Sequence, residues 1–253
     1  MCRHLAYLGP RVPLASLVLD APHGLLRQSY APRDMRGGGT VNADGFGAGW
    51  YPEPGAGPVR YRSARPIWAD TAFAGLAAAT RTGALLAAVR SATVGLPVTE
   101  TAAAPFTEGR WLFSHNGLVR GWPGSMAALA AELPVTDLLT LDAGTDSALL
   151  WALLRHRLRA GAEPVAALTE VVRAVAAAAP GSRLNLLLTD GTAIWATAWS
   201  HALSVRISDD TALVASEPID DCPEWKEVPD GHLLLARPGR HRLAPLTPTT
   251  GNS

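Results

Sequence analysis

Two rhythms of apolar residues alternate along this chain. Short runs that are continuously apolar, or apolar at every second position, predict strands over Arg3–Leu8, Gly45–Tyr51, Leu85–Ser91, Arg110–His115, Arg183–Thr189, Thr192–Ala198, Ala202–Ile207, Thr211–Ala215 and His232–Ala236. Helical spacing predicts helices over Thr71–Thr80, Ser125–Glu132, Ser147–Ala160 and Glu163–Ala179. In the third of these, Leu149, Leu150, Leu153, Leu154 and Leu158 form one face. Arg155, His156, Arg157 and Arg159 gather at its C-terminal end, where the helix dipole favours cations. Gly161 and Ala162 leave room only for a tight reversal, so the last two helices are expected to be antiparallel neighbours on one sheet face. Asp190-Gly191 reads as a hairpin turn and Asp209-Asp210 as another. Strands grouped before and after a helical block predict an α+β protein whose antiparallel sheets carry helices on the outside. The chain reads as one domain over residues 1–253, with a loose tail from Leu243 to Ser253.

Composition narrows the range of functions. Lys plus Arg equal Asp plus Glu at 22 each, and no basic run stands out, so a nucleic-acid partner is not expected. The first residues lack the pattern of a signal peptide, and no apolar run has the length of a membrane span; a cytoplasmic protein is expected. The two cysteines, Cys2 and Cys222, are read as free thiols. No Cys, His and carboxylate spacing resembles a metal site. GGGTVNADGFGAGWY lacks the lysine and strand-to-helix setting of a phosphate loop. Its glycines suit a turn feeding a strand that another backbone, or a ligand, approaches closely. No metal or organic cofactor is expected.

Cys2 poses the chemical question. It is either a small buried residue opening a strand or, once the initiator methionine is removed, a nucleophile carrying its own base. An α-amine titrates near 7.7–8.0, about right for proton transfer at neutral pH. Four stretches could serve such a thiol. Arg90, in ALLAAVRSAT, answers an internal acid or forks toward a substrate carboxylate, and the bare sequence favours the internal pair. RWLFSHNGLV ends in Asn116-Gly117, a common turn pair that can also supply a side-chain amide and an N–H to an oxyanion. His115 beside them could pair with the cysteine, although a structural hydrogen bond is the commoner use of a strand-end histidine. Thr145 or Asp146 caps a helix, and Asp146 could also face an ammonium group. Together these residue types fit a γ-glutamyl amide: Arg90 for the α-carboxylate, Asp146 for the α-ammonium, and Cys2 with Asn116 and Gly117 for the amide.

Cys2 behind the initiator, VRSAT, SHNG and TDS at a helix start, in that order, resemble the glutaminase domain of class II glutamine amidotransferases, which are N-terminal-nucleophile hydrolases. The resemblance covers most of the chain and implies a four-layer αββα sandwich of two antiparallel sheets. It implies Cys2 as nucleophile with its α-amine as base, Asn116 and Gly117 as oxyanion hole, Arg90 and Asp146 as clamps on the glutamyl group, and Thr93 near the substrate. Val94 replaces a histidine that many members carry after that threonine. Ser216-Glu217 could also line the site; the role of Cys222 is open. NADGFGAGWY, LRQSYAPRDMRGGGT and SRLNLLLTDG narrow the match to short, free-standing γ-glutamyl amidohydrolases. A glutaminase fold consumes the whole length, so the small-molecule γ-glutamyl substrate is expected to be hydrolysed with no partner synthetase. The rivals are an ammonia-supplying subunit and a catalytically silent binding module retaining Met1. Should the leaving group carry a trimethylated amine, Trp50, Trp68, Trp111 or Trp122 could meet it by cation–π contact.

Overall fold

The computed structural model describes residues 2–35 and 41–246. Met1 and the glycine run within residues 36–40 lie outside them. The chain begins with β1 (Arg3–Pro13), α1 (Leu14–Val18) and α2 (Leu25–Gln28). It continues through β2 (Phe46–Trp50), β3 (Val59–Ser63), α3 (Thr71–Ala79) and β4 (Arg81–Val89). The middle comprises β5 (Phe106–Glu108), β6 (Trp111–Leu118), α4 (Ala127–Ala130), α5 (Val135–Leu139), α6 (Asp146–Arg159) and α7 (Pro164–Ala178). Seven strands follow: β7 (Arg183–Thr189), β8 (Ile194–Ala198), β9 (Ser204–Ile207), β10 (Ala212–Ala215), β11 (Lys226–Glu227), β12 (His232–Arg237) and β13 (Arg240–Pro245), which pairs with β12.

These strands make two antiparallel sheets. The first runs β11-β9-β10-β1-β4-β2-β3 and the second β13-β12-β8-β7-β6-β5. The continuous apolar character of β1 follows from burial on both faces. Leu5 and Tyr7 pack with Leu14, Val18 and Phe73 of α1 and α3. Ala6 and Leu8 pack against Leu112, Leu187 and Ala196 of the second sheet. On that sheet's far side, Leu150 and Leu154 of α6 and Leu168 and Val172 of α7 cover Phe113, Leu186 and Leu188. The result is the expected four-layer αββα sandwich. Gly47 and Gly49 of β2 admit close neighbours: a Cβ at Gly47 would stand 2.4 Å from the Ala104 carbonyl oxygen, and one at Gly49 2.7 Å from Leu112.

Several boundaries differ from expectation for physical reasons. The tail does not loosen at Leu243, because β13 pairs with β12 from His232↔Pro245 to Arg237↔Arg240 and Leu246 is buried, its N–H bonded to the Gly231 carbonyl at 2.8 Å. Arg240, His241 and Arg242 conceal this edge strand, since their exposed polar side chains leave no apolar period. Residues 247–253 of the expected tail lie outside the described residues. The helix expected over Ser125–Glu132 shrinks to α4, preceded by a 3₁₀ turn at Gly124–Met126. The basic end of α6 does more than meet a dipole: Arg159 pairs with Asp137 of α5 at 2.8 Å, and Arg157 with Glu170 of α7 at 3.3 Å. Among the described residues no helix is long and apolar enough to cross a membrane.

Candidate active site

Antiparallel pairing of Arg3 with Val89 sets the start of β1 beside the end of β4. Cys2 and Arg90 therefore meet. Both line one small cavity with Val89, Phe106, His115 and Ser147. The cavity has about 20 Å³ of free volume, room for a single water. The Cys2 thiol is directed at the Ser91 carbonyl, 3.8 Å away, and the Cys2 carbonyl accepts from Arg3 Nη1 at 3.0 Å. Burial lowers the Arg3 pKa against the opposing pull of Glu217, Asp34 and Cys2.

Arg90 is buried, yet its partners are not acids. Nη1 donates to the Pro97 carbonyl at 2.8 Å and the Asp44 carbonyl at 3.4 Å, and among the described residues no carboxylate pairs with the guanidinium. The internal ion pair that the bare sequence favoured is not formed. Asp44 instead fastens the loop beyond β4: its Oδ2 accepts the Ala92 N–H at 2.8 Å, and its own N–H donates to the Arg90 carbonyl at 3.0 Å. The sequence reads NADG as part of a turn feeding a strand that a backbone or ligand approaches closely; the structure adds that Asp44 pins the loop, just before Gly45 with its φ of 117°.

His115 is a structural bridge. Its Nε2 faces the Arg183 carbonyl at 2.9 Å and its Nδ1 the Ser147 hydroxyl at 3.0 Å. A carbonyl can only accept, so Nε2 carries a proton, while the Ser147 hydroxyl also lies 3.4 Å from Asp146 Oδ1. Gly117 sits under the same carbonyl: a Cβ there would stand 1.9 Å from Arg183 O and 2.6 Å from His115 Nε2. Asn116 is fully buried and donates from Nδ2 to Ser216 Oγ at 2.9 Å, while its Oδ1 has no partner among the described residues. Ser216 in turn accepts the N–H of His4, two residues from Cys2, at 3.0 Å. Burial drives the His4 imidazole down to about 3, with His115, His201 and Arg3 adding to the effect; its Nδ1 faces the Ser114 hydroxyl at 2.8 Å.

Thr145, not Asp146, caps α6 by accepting the Ala148 N–H at 3.2 Å. The Asp146 carboxylate accepts the N–H of Val119 at 3.0 Å and of Ser147 at 2.8 Å, tying the end of β6 to the start of α6. Thr93 lies in an exposed turn closed by Leu96 N–H to its carbonyl at 2.9 Å, and it does not line the cavity. The neighbouring Val94 is fully exposed.

Beyond Ser216 a groove of about 470 Å³ opens, lined among others by Arg33, Ser204, Glu217 and Trp225. The Glu217 carboxylate is fixed by the N–H groups of Arg33 at 3.1 Å and Asp34 at 2.7 Å. The tryptophans singled out from sequence lie elsewhere: Trp50 is in the core, Trp111 and Trp122 pack under the helices, and Trp68 meets Tyr30 edge-on. Trp225 in this groove stacks under the Arg206 guanidinium and donates from Nε1 to Asp220 at 2.8 Å.

Comparison with known proteins places this geometry. A sequence profile of class-II glutamine amidotransferases matches residues 16–208, a stretch that holds Arg90, Asn116, Gly117 and Asp146. The chain is 44% identical over 247 residues to a gamma-glutamyl-hercynylcysteine sulfoxide hydrolase of Mycolicibacterium smegmatis, covering 97% of this chain and 100% of the relative. It is 44% identical to the protein of the same name from Mycobacterium tuberculosis, covering 92% of each. The fold is similar to that of a glutamine aminotransferase class-II domain protein from Silicibacter pomeroyi, with TM-score 0.70 and 23% identity over 98% of this chain and all of that one. It is also similar to Bacillus subtilis glutamine phosphoribosylpyrophosphate amidotransferase, with TM-score 0.69 and 15% identity over 98% of this chain and 50% of the other. On the strength of the profile match and these relatives, the chain belongs to the class-II glutamine amidotransferases.

Proposed function

We propose that this protein hydrolyses the γ-glutamyl amide of γ-glutamyl-hercynylcysteine S-oxide, releasing glutamate and hercynylcysteine S-oxide. The observation that carries the reading is the shared cavity of Cys2 and Arg90, to which Arg90 brings a buried guanidinium with no acidic partner among the described residues. Such a charge suits a carboxylate brought by the substrate, held by charge-assisted bonds of about 1.5–3 kcal/mol each. The relatives' name supplies the leaving group.

Removal of Met1 frees the Cys2 α-amine, which takes the thiol proton. Sγ attacks the γ-carbonyl carbon, and the Asn116 amide and Gly117 N–H stabilise the oxyanion. The C–N bond breaks as the α-ammonium returns its proton to the leaving amine. Water, deprotonated by the same α-amine, then opens the glutamyl thioester and restores the thiol. Asp146 keeps lone pairs beyond its two backbone bonds to accept from the substrate ammonium. The groove at Ser216 gives the large amine half a place on the far side of β1 from Arg90, since β10 and β4 flank β1. The test compares kcat/KM for γ-glutamyl-hercynylcysteine S-oxide and L-glutamine. A clear preference for the first supports the assignment; a preference for glutamine, stimulated by a separate synthetase, would replace it with ammonia supply.

A further inference from the structure

The buried amide of Asn116 is half satisfied. Nδ2 donates to Ser216 Oγ at 2.9 Å, and Oδ1, sealed from solvent, has no donor among the described residues. A buried acceptor left this way is unfavourable. Ser216 Oγ, for its part, faces two donors: Asn116 Nδ2 and the His4 N–H at 3.0 Å. Among the described residues the acceptor facing the hydroxyl proton is the His4 carbonyl at 3.3 Å, which also accepts the Ser216 N–H at 2.9 Å.

Turning the amide through half a turn gives the buried carbonyl oxygen a donor. Ser216 then accepts from His4 N–H and gives its own proton to Asn116 Oδ1 over the same 2.9 Å. Both N–H groups of Asn116 move to the side where the carbonyl oxygen had no donor. A donor pair fixed there, in a site shielded from water, is what an oxyanion needs and a ground-state backbone does not supply. We infer that Ser216 is a positioning residue for the hydrolysis: its hydroxyl donates to Asn116 Oδ1 and so aims the amide N–H groups at the tetrahedral intermediate. The inference rests on Asn116 serving as the oxyanion donor in the proposed reaction.

Ser216 is placed for this by the sheet. It follows β10, whose Ala215 pairs with Leu5, and so stands beside His4 at the start of β1. Its hydroxyl spans from the first sheet to Asn116 on β6 of the second. Alanine at this position would leave His4 N–H and the Asn116 amide without their common partner.

The test is a cycle of Ser216→Ala, Asn116→Ala and the double variant. Each rate is referred to the fraction of Cys2 that alkylates and to the melting temperature. Ser216→Ala is expected to lower kcat about tenfold with KM within twofold, and to lower it less than twofold in the Asn116→Ala background. Ser216→Cys, close in volume but a poor hydrogen-bonder, should lose kcat in the same way; it carries the test should the alanine variant not fold. Unchanged kcat in Ser216→Ala, or an equal loss in both backgrounds, would overturn the inference. If Asn116→Ala itself keeps normal kcat, the oxyanion assignment fails first, and the inference with it.

Discussion

Gly117→Ala probes how tightly β6 is held against β7 at the site. The pairing Asn116↔Asn185, Gly117↔Leu184 and Leu118↔Arg183 brings the Arg183 carbonyl over the Gly117 Cα. An added Cβ would lie 1.9 Å from that oxygen, where ordinary contact starts at 3.4 Å. The two backbones must therefore separate by about 1.5 Å, and neither is a flexible side-chain end that could move aside. Overpacking of this kind costs about 1–3 kcal/mol, which for a chain this long lowers Tm by roughly 2–4 °C per kcal/mol. The same displacement shifts the neighbouring Asn116 amide and pulls His115 Nε2 off the Arg183 carbonyl. A misplacement near 1 Å lowers the rate by about 10²-fold. The assay is kcat measured well below the variant's own transition, beside a thermal melt. Gly144→Ala is the control, because a Cβ there meets nothing within 4 Å. A Gly117→Ala protein with wild-type kcat would show that the Asn116-Gly117 corner is not fixed by this contact, and would refute the reasoning.

Two further outcomes follow from charge and burial. Arg90→Lys keeps the positive charge but loses the planar fork; kcat/KM should fall about 10- to 10²-fold, mostly through KM, and a steady-state series that leaves KM unmoved would remove Arg90 from substrate binding. His4 stays neutral in the folded protein down to about 3, whereas the unfolded chain binds its proton near 6.5. Between those values the unfolded state holds more protons, so stability falls as pH drops below 6.5, by about 2 kcal/mol from His4 alone at roughly pH 5. Urea titrations at neutral pH and near pH 5 should show this loss in the parent and a shallower one in His4→Gln; equal slopes would remove His4 as its source.

The sequence carried the fold wherever burial was two-sided. β1, β4, β7 and β8 read as apolar runs because each lies between a helical layer and the opposite sheet, and α6 and α7 read from one apolar face each. What stayed hidden was short or polar. β13 presents arginines and a histidine to solvent, β11 is two exposed residues, and β5 is three residues long. At the site, Cys2 and Arg90 could be named from residue type and order, and the sheet register brought them together. Asp44 could not, and Ser216 could be placed near the site but given no partner, since their contacts reach across 48 and 100 residues that no local pattern encodes. Thr93 lies on the surface in the turn after β4.

The central claim is that the thiol of Cys2, next to a freed α-amine, is the group that attacks the γ-glutamyl amide. Its most direct test is turnover of γ-glutamyl-hercynylcysteine S-oxide by Cys2→Ala protein, confirmed by mass to lack Met1. The account predicts glutamate release at the uncatalysed rate from a folded protein with unchanged Tm; release at anything near the parent rate would contradict it.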